Sequence, residues 1–295
     1  MGGSPTLTKE FVMNILITGY QGFIGSNVFN FLGEKEYTVW GWEWEEGALP
    51  NVKRVDRVIH LGAISATTER DVEKVLTQNL EFSLELLKHC QEYGVPMQYA
   101  SSASVYGVER TVGKSKENDR AYPASPYAWS KYLFDRVVMK NIDNFETPVH
   151  GFRYFNVYGP GEEHKGNMMS PVSKFIMQAK DVGHIKLFKD SHLYERDFVC
   201  VEDIMDVHER FLNVPDNSGI YNVGTGTPVS FQYVGEQIAE RFGVPIEYID
   251  MPDNLKGQYQ TYTCADTNKL TWLTGEYDWW TIPKYLDRLE ELGQL

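Results

Sequence analysis

The sequence predicts an α/β fold in which helices cover both faces of a parallel sheet. Short apolar runs alternate with stretches of helical period through roughly the first half of the chain, and the first run closes in a glycine-rich turn. A tyrosine and a lysine four residues apart, Tyr127 and Lys131, then sit at the start of a well-marked helix, a spacing that puts them on one face.

Asn14-Ile15-Leu16-Ile17-Thr18 reads as the first strand, Gly19 to Gly25 as the turn and Ser26 to about Gly33 as the helix. The glycines are spaced G-x-x-G-x-x-G. They allow a tight turn, close approach of backbone to a pyrophosphate and close packing of helix on strand, with the phosphates at the positive helix end. Gly19, Gln21, Gly22, Phe23 and Ile24 are therefore candidate cofactor contacts in a Rossmann-type doubly wound unit. A second strand, Tyr37 to Trp42, ends at Glu43, 18 residues after Gly25, where a carboxylate can bind a ribose diol. A solvated acid among Glu43, Glu45 and Glu46 is the plain alternative. Lys53 and Arg54 can instead accept a 2′-phosphate, so NAD is the expected cofactor and NADP stays open.

Only 13 residues separate Glu43 from the next strand, Arg57 to Leu61. A doubly wound sheet runs 3-2-1-4-5-6, and a crossover to a parallel strand takes about 10 to 12 residues or more. A full strand and helix cannot fit, so edge strand 3 is expected to be missing, which trims the sheet beside the adenine. Leu61, Gly62 and Ala63 close the strand and join the candidate cofactor contacts. Glu69 to Tyr93 has helical period through Val72, Val75, Leu76, Leu80, Leu84, Leu87 and Cys90, and Asn79 on it is a candidate for organising the surroundings of Lys131. Met97 to Ala100 is a strand leading into Ser101-Ser102, at the carboxyl end where open α/β sheets bind ligands. Gly151 to Val157 is a further strand.

Beyond it the alternation loosens, and the expected organisation is a dinucleotide-binding domain over 13–160, rejoined by 197–223. A smaller C-terminal α/β substrate lobe is built from 161–196 and 224–295. Residues 1–12 open Met-Gly-Gly-Ser-Pro without a periodic apolar pattern and read as a tag or flexible tail.

The proposed helix start is specific: Ser125 reads as an N-cap and Pro126 as its first-turn proline. A free phenol titrates near ~10, too high for a base at neutral pH, but a nearby ammonium favours the phenolate. The spacing suggests a base, Tyr127, activated by Lys131. A packed tyrosine beside a snorkelling lysine is the ordinary alternative.

Composition bounds the rest. At 295 residues and 42% hydrophobic the chain can bury a sizeable core, and a net charge of −13 argues against a nucleic-acid or anionic-membrane binder. Cys90, Cys200 and Cys264 are widely separated, so neither a disulfide framework nor a metal site is expected and a cytoplasmic setting fits. No apolar run reaches the ~20 residues a membrane helix needs, and no signal peptide precedes the first strand.

With the glycine turn, Ser102, the Tyr127/Lys131 pair and Arg153-Tyr154-Phe155-Asn156-Val157-Tyr158-Gly159-Pro160 in hand, the chain resembles the extended short-chain dehydrogenase/reductase family of nucleotide-sugar enzymes. Tyr99-Ala100-Ser101-Ser102, His164-Lys165-Gly166, Arg196-Asp197-Phe198-Val199 and Leu255-Lys256-Gly257-Gln258-Tyr259-Gln260 look like its ADP-heptose 6-epimerase branch. Three positions depart from that pattern: Glu43 stands for the usual aspartate, Gln258 for an arginine and Lys174 for a histidine. The resemblance implies an NAD-dependent enzyme that oxidises a sugar carbon transiently and returns the hydride to the other face. Tyr127 is then the base, Lys131 its activator and a cofactor ligand, and Ser102 a hydrogen-bond partner of the reacting oxygen.

Inversion also needs an acid/base on the far side, and Lys165 is the residue the resemblance supplies; the residues alone read it as a surface lysine. Asn156, Lys174, Arg196 and Tyr259 are implied contacts to the nucleotide sugar, and self-association through surface helices is implied as well. For Arg196 an ion pair with Glu195 or Asp197 is the alternative. Ala103-Ser104 occupies the place where a 4,6-dehydratase carries an Asp-Glu pair, which disfavours dehydration. A 4-epimerase, a reductase of the same family and a non-catalytic NAD-binding protein stay open.

Overall fold

In the computed structural model, residues 12–45, 47–108, 112–214, 217–252 and 260–295 are described. Along the chain the strands are β1 (Asn14–Thr18), β2 (Thr38–Trp42), β3 (Arg57–His60), β4 (Met97–Ser102), β5 (Val149–Tyr154), β6 (Asn156–Tyr158), β7 (Ile185–Phe188), β8 (Glu195–Arg196), β9 (Phe198–Cys200), β10 (Gly219–Val223), β11 (Val229–Ser230) and β12 (Ile246–Ile249). The helices are α1 (Phe23–Gly33), α2 (Val72–Leu76), α3 (Phe82–Glu92), α4 (Pro126–Lys140), α5 (Pro171–Asp181), α6 (Val201–Leu212), α7 (Phe231–Phe242), α8 (Asn268–Thr274) and α9 (Ile282–Glu291).

A six-stranded parallel sheet in the order β10-β5-β4-β3-β1-β2 carries the larger half. β2 is its edge, so the expected loss of the third strand is what the sheet shows. Successive residues of a strand face opposite sides, and β1 illustrates it. Ile15 and Ile17 pack with Val28 and Leu32 of α1 and Leu212 of α6. Leu16 packs on the other face with Phe82, Leu86, Phe134 and Val138 of α3 and α4. Both faces are covered, which suits strands reading as continuous apolar runs.

Three elements differ from the sequence reading. First, α1 starts at Phe23 rather than Ser26, so the helix N-terminus lies inside the glycine motif. Second, the helix expected over Glu69 to Tyr93 begins at its Asp71 cap and is interrupted by a π-turn over Thr77–Glu81. Third, the strand expected over Gly151 to Val157 divides: β5 stays in the sheet, while β6 leaves it to pair with β9.

The smaller lobe has its own core. The parallel pair β7/β12 packs with α5, α7 and α9 through Val172, Phe175, Leu187, Val234, Ile238 and Leu286. The segment 224–295, read as lobe throughout, divides: β11, α7, β12 and α9 join that core, whereas Leu270 of α8 and Tyr277 pack with Phe152, Phe211 and Tyr221 beside the large sheet.

Candidate active site

The glycine turn is built by close contact between strand ends. Gly19 has φ +72, and a Cβ placed on it would lie 2.4 Å from Gly62 Cα. A Cβ on Gly25 would lie 1.9 Å from Gly19 O. No side chain caps the first turn of α1, which leaves its outward N–H groups for an anionic partner. Glu43 Oε1 accepts from Gln21 N at 2.7 Å, tying the end of β2 to this turn. Beside it, Trp42, Glu43, Trp44, Gly62, Ala63, Ile64, Gln78 and Phe82 line a cavity of about 280 Å³ where the trimmed edge leaves room. Lys53, read as a candidate for a 2′-phosphate, instead has its Nζ 4.9 Å from the Tyr93 ring centroid, just beyond the C-terminus of α3.

At the carboxyl end of β4, Ser102 hydrogen-bonds the Tyr127 phenol and its Oγ accepts from Ser104 N at 3.1 Å. Ser125 Oγ caps α4 by accepting from Ala128 N at 3.2 Å, with Pro126 in the first turn, as expected. Lys131 Nζ donates to Ala100 O at 2.9 Å and lies 6.0 Å from the Tyr127 ring centroid. The three residues are thus brought together, yet the expected depression of the Tyr127 pKa is absent from this arrangement. Burial raises the phenol, the Ser102 hydrogen bond lowers it and Asp135 raises it; the ammonium points to a carbonyl instead. Burial also pushes Lys131 down to about 8, with Asp135 opposing.

Asn79 explains the π-turn. The extra residue in the turn points its amide inward, where Oδ1 accepts from Ile64 N at 2.8 Å and Nδ2 donates to Ile64 O at 3.0 Å and Ser130 Oγ at 3.1 Å. Ser130 Oγ donates to Tyr127 O at 2.7 Å, so the loop after β3 is bonded to the first turn of α4. Sequence reasoning missed two groups here. Asp135, one turn beyond Lys131, forms a buried ion pair with Arg153 at 2.8 Å and also accepts from Tyr99 and Ser101. His60 bonds Thr18 at 2.6 Å and Ser83 at 2.8 Å. The i+4 spacing of Lys131 and Asp135 was a readable signal; no pattern in the sequence marks the long-range partners.

Lys165 lies on a 3₁₀ turn, Glu163–Met168, and packs against the glycine turn: its Nζ is 4.8 Å from the Phe23 ring centroid and 3.4 Å from Glu162 Oε2. Asn156 Oδ1 accepts from Thr263 Oγ1 at 3.2 Å. Lys174 belongs to a second cavity, about 290 Å³, lined by Phe175, Leu187, Phe188, Phe231 and Ile249 with Lys186 and Ser191. Ser191 is 1% exposed and its Oγ has no hydrogen-bond partner among the described residues. Arg196 is buried; it donates to Glu195 O at 2.9 Å and to Gln260 O, and its guanidinium lies 5.3 Å from the Phe231 ring. The neighbouring Asp197 carboxylate accepts from Thr225, Gly226 and Ala265. Tyr259 lies outside the described residues.

Comparison with known proteins bears on this geometry. The family model described as "NAD dependent epimerase/dehydratase family" matches residues 15–224. The chain belongs to this family. It is 38% identical to the ADP-L-glycero-D-manno-heptose-6-epimerase of Alkalilimnicola ehrlichii, over 87% of this chain and 90% of that protein. The crystal structure of the Helicobacter pylori ADP-L-glycero-D-manno-heptose-6-epimerase superposes with a TM-score of 0.83 at 25% identity, covering 96% of this chain and 97% of that one. The UDP-glucose 4-epimerase of Thermotoga maritima has the same fold, with a TM-score of 0.80 at 24% identity over 95% and 99% of the two chains. The resemblance read from the motifs is borne out, and with it an NAD-dependent enzyme of the epimerase type.

Proposed function

We propose that this enzyme inverts C6 of an ADP-linked heptose by transient oxidation, with Tyr127 and Lys165 serving as acid/bases on opposite sides of the sugar. The observation that carries the reading is the joint placement of Ser102, Tyr127 and Lys131 at the carboxyl end of β4 with Lys165 packed on Phe23 of the glycine turn. The 38% identical heptose epimerase supports the choice of sugar.

The turn fits NAD: a Cβ on Gly19 or Gly25 would fill the cradle, the first turn of α1 is uncapped, and Glu43 stands where a ribose diol would be held. Gly19, Gln21, Gly22, Phe23 and Ile24 would hold the pyrophosphate. Leu61, Gly62 and Ala63 would flank the adenosine half. A carboxylate at Glu43, with Lys53 turned toward Tyr93, favours NAD over NADP. NAD when bound supplies hydride acceptance and return. The chain's own residues move the protons. Tyr127 takes the C6 hydroxyl proton, Ser102 hydrogen-bonds the same oxygen, and Lys131 stabilises the phenolate once its ammonium turns from Ala100 O. Lys165 protonates the ketone oxygen on the opposite side.

The cavity beside Lys174 suits a nucleotide base, with aromatic walls and Ser191 Oγ as an unused polar group. Arg196 and Asn156 serve the diphosphate and sugar, and 161–196 together with β11, α7, β12 and α9 form the substrate lobe. Apolar side chains exposed on α4, Trp129 at 47% and Leu133 at 36%, supply the face for a homo-oligomer. Among the described residues no helix is long and apolar enough to cross a membrane, and three buried free cysteines suit a reducing cytoplasm.

The test is to incubate the protein with ADP-, GDP- and UDP-linked sugars and follow stereochemistry by NMR. C6 inversion of the ADP-heptose, abolished by Lys165→Ala, is the expected result. Inversion at C4 alone, or wild-type inversion by Lys165→Ala, overturns the reading.

A further inference from the structure

Lys165 sits on a short 3₁₀ turn that breaks at Gly166 and belongs to no sheet, and the group that fixes this turn is a carboxylate 1% exposed to solvent, Glu162. Its two oxygens accept from five donors. Oε1 takes Gly159 N at 3.3 Å, Ser170 Oγ at 2.7 Å and Ser173 Oγ at 2.8 Å; Oε2 takes Ser170 N at 2.7 Å and Lys165 Nζ at 3.4 Å. Three separate segments are joined in this way: the turn after β6, the turn carrying Lys165 and the first turn of α5, which carries Lys174. Gly159 N, Ser170 N and Lys165 Nζ can only donate, and between them they engage both oxygens, an arrangement that suits a carboxylate.

The charge is also needed. A buried carboxylate is costly unless paired, and Lys165 is the cation in direct contact with it. Ser170 already caps α5 through Ser173 N at 3.2 Å, so helix capping does not by itself call for a charge here. Lys174, from α5, feels both groups: burial lowers its pKa, Glu162 raises it and Lys165 lowers it. Glu163 and His164 flank Lys165 on its own turn.

We propose that Glu162 is the positioning residue of the far-side acid/base, holding the Lys165 ammonium against the Phe23 ring and welding its turn to the base of α5. This rests on the assignment of Lys165 above and extends it. An amide at position 162 removes the charge facing the Lys165 ammonium and turns an NH₂ toward one set of partners, while the side-chain volume is kept.

The holoenzyme tests this with two readouts on ADP-linked heptose: C6 inversion by NMR, and cofactor reduction in a single turnover by the epimer that Tyr127 oxidises. Glu162→Gln is expected to lower kcat for inversion about 10- to 100-fold, with KM and cofactor reduction within about 2-fold of wild type. Glu162→Asp, which keeps the charge but withdraws it by one methylene, is expected to fall between the two and guards against a misfolded Gln variant. A uniformly structural role lowers both readouts together, and that outcome overturns the proposal, as does wild-type inversion in Glu162→Gln. Lys165→Ala run in parallel separates the two ideas. If it inverts normally, the assignment of Lys165 fails; if it does not invert and Glu162→Gln does, Glu162 alone is misassigned.

Discussion

The two sides of the proposed site are held by different physics. On the near side, Tyr127 and Lys131 stand on α4, their spacing set by helix geometry, and the helix is fastened to the sheet by the Asp135–Arg153 pair and by Asn79 through Ser130. On the far side, Lys165 stands on one 3₁₀ turn fastened by one carboxylate, Glu162. A residue on a long helix inherits its position from many backbone bonds. A residue on a short turn depends on a few side chains, so single substitutions reach it more easily.

Four predictions sharpen or break this contrast. The largest effect is expected from Tyr127→Phe, which removes the near-side base without disturbing packing. Cofactor reduction and inversion should fall together by about 10²- to 10⁴-fold, measured in the same assays, with the melting temperature unchanged. A variant that still reduces the cofactor at the wild-type rate would move the base elsewhere. Next, Asp135→Asn leaves Arg153 buried without its counter-charge and should cost about 3–5 kcal/mol of stability by denaturant unfolding. A loss below about 1 kcal/mol would mean that the near side does not lean on this pair.

The third concerns acid. Burial drives His60 and His208 down to about 3 and His150 to about 4, against an ordinary value near 6.5. The unfolded chain therefore binds protons that the folded one does not, and stability is lost as pH falls through 6.5. At pH 5 the cost is about 2 kcal/mol per histidine. Asp203, which burial pushes up to about 7, works the other way and returns about 2 kcal/mol over the same interval. A net loss of about 3 to 4 kcal/mol between pH 7 and pH 5 is expected in chemical denaturation; a gain would show that the histidines are charged in place. The smallest effect is reserved for the far side: Ser170→Ala removes the cap of α5 and one donor to Glu162, for about 1 kcal/mol of stability.

The contrast also separates what could be read in the sequence from what could not. Gly19 to Gly25, the Ser125-Pro126 cap, the Tyr127/Lys131 spacing and the short link after Glu43 are local patterns, and the structure displays each in place. The π-turn at Asn79 was hidden, because its cause lies in Ile64 and Ser130, 15 and 51 residues away. The split of the strand at Phe155 was hidden too, since the apolar run continues through it and only pairing with β9 shows that β6 has left the sheet. Arg196 read equally well as a surface ion pair or a buried phosphate ligand, and burial beside Phe231 removes the surface reading. Glu162 was one acid in a polar loop until Ser170 and Ser173 were folded onto it.

Local chain stereochemistry is fixed by a few neighbouring residues, and it was enough for the sequence to determine the α/β class, the trimmed sheet edge, the cofactor turn and the near-side pair. Electrostatics is not local in this sense. The direction of the Tyr127 pKa, the carbonyl that holds Lys131 and the five donors around Glu162 depend on which distant groups share a water-poor space, and only the tertiary structure decides that.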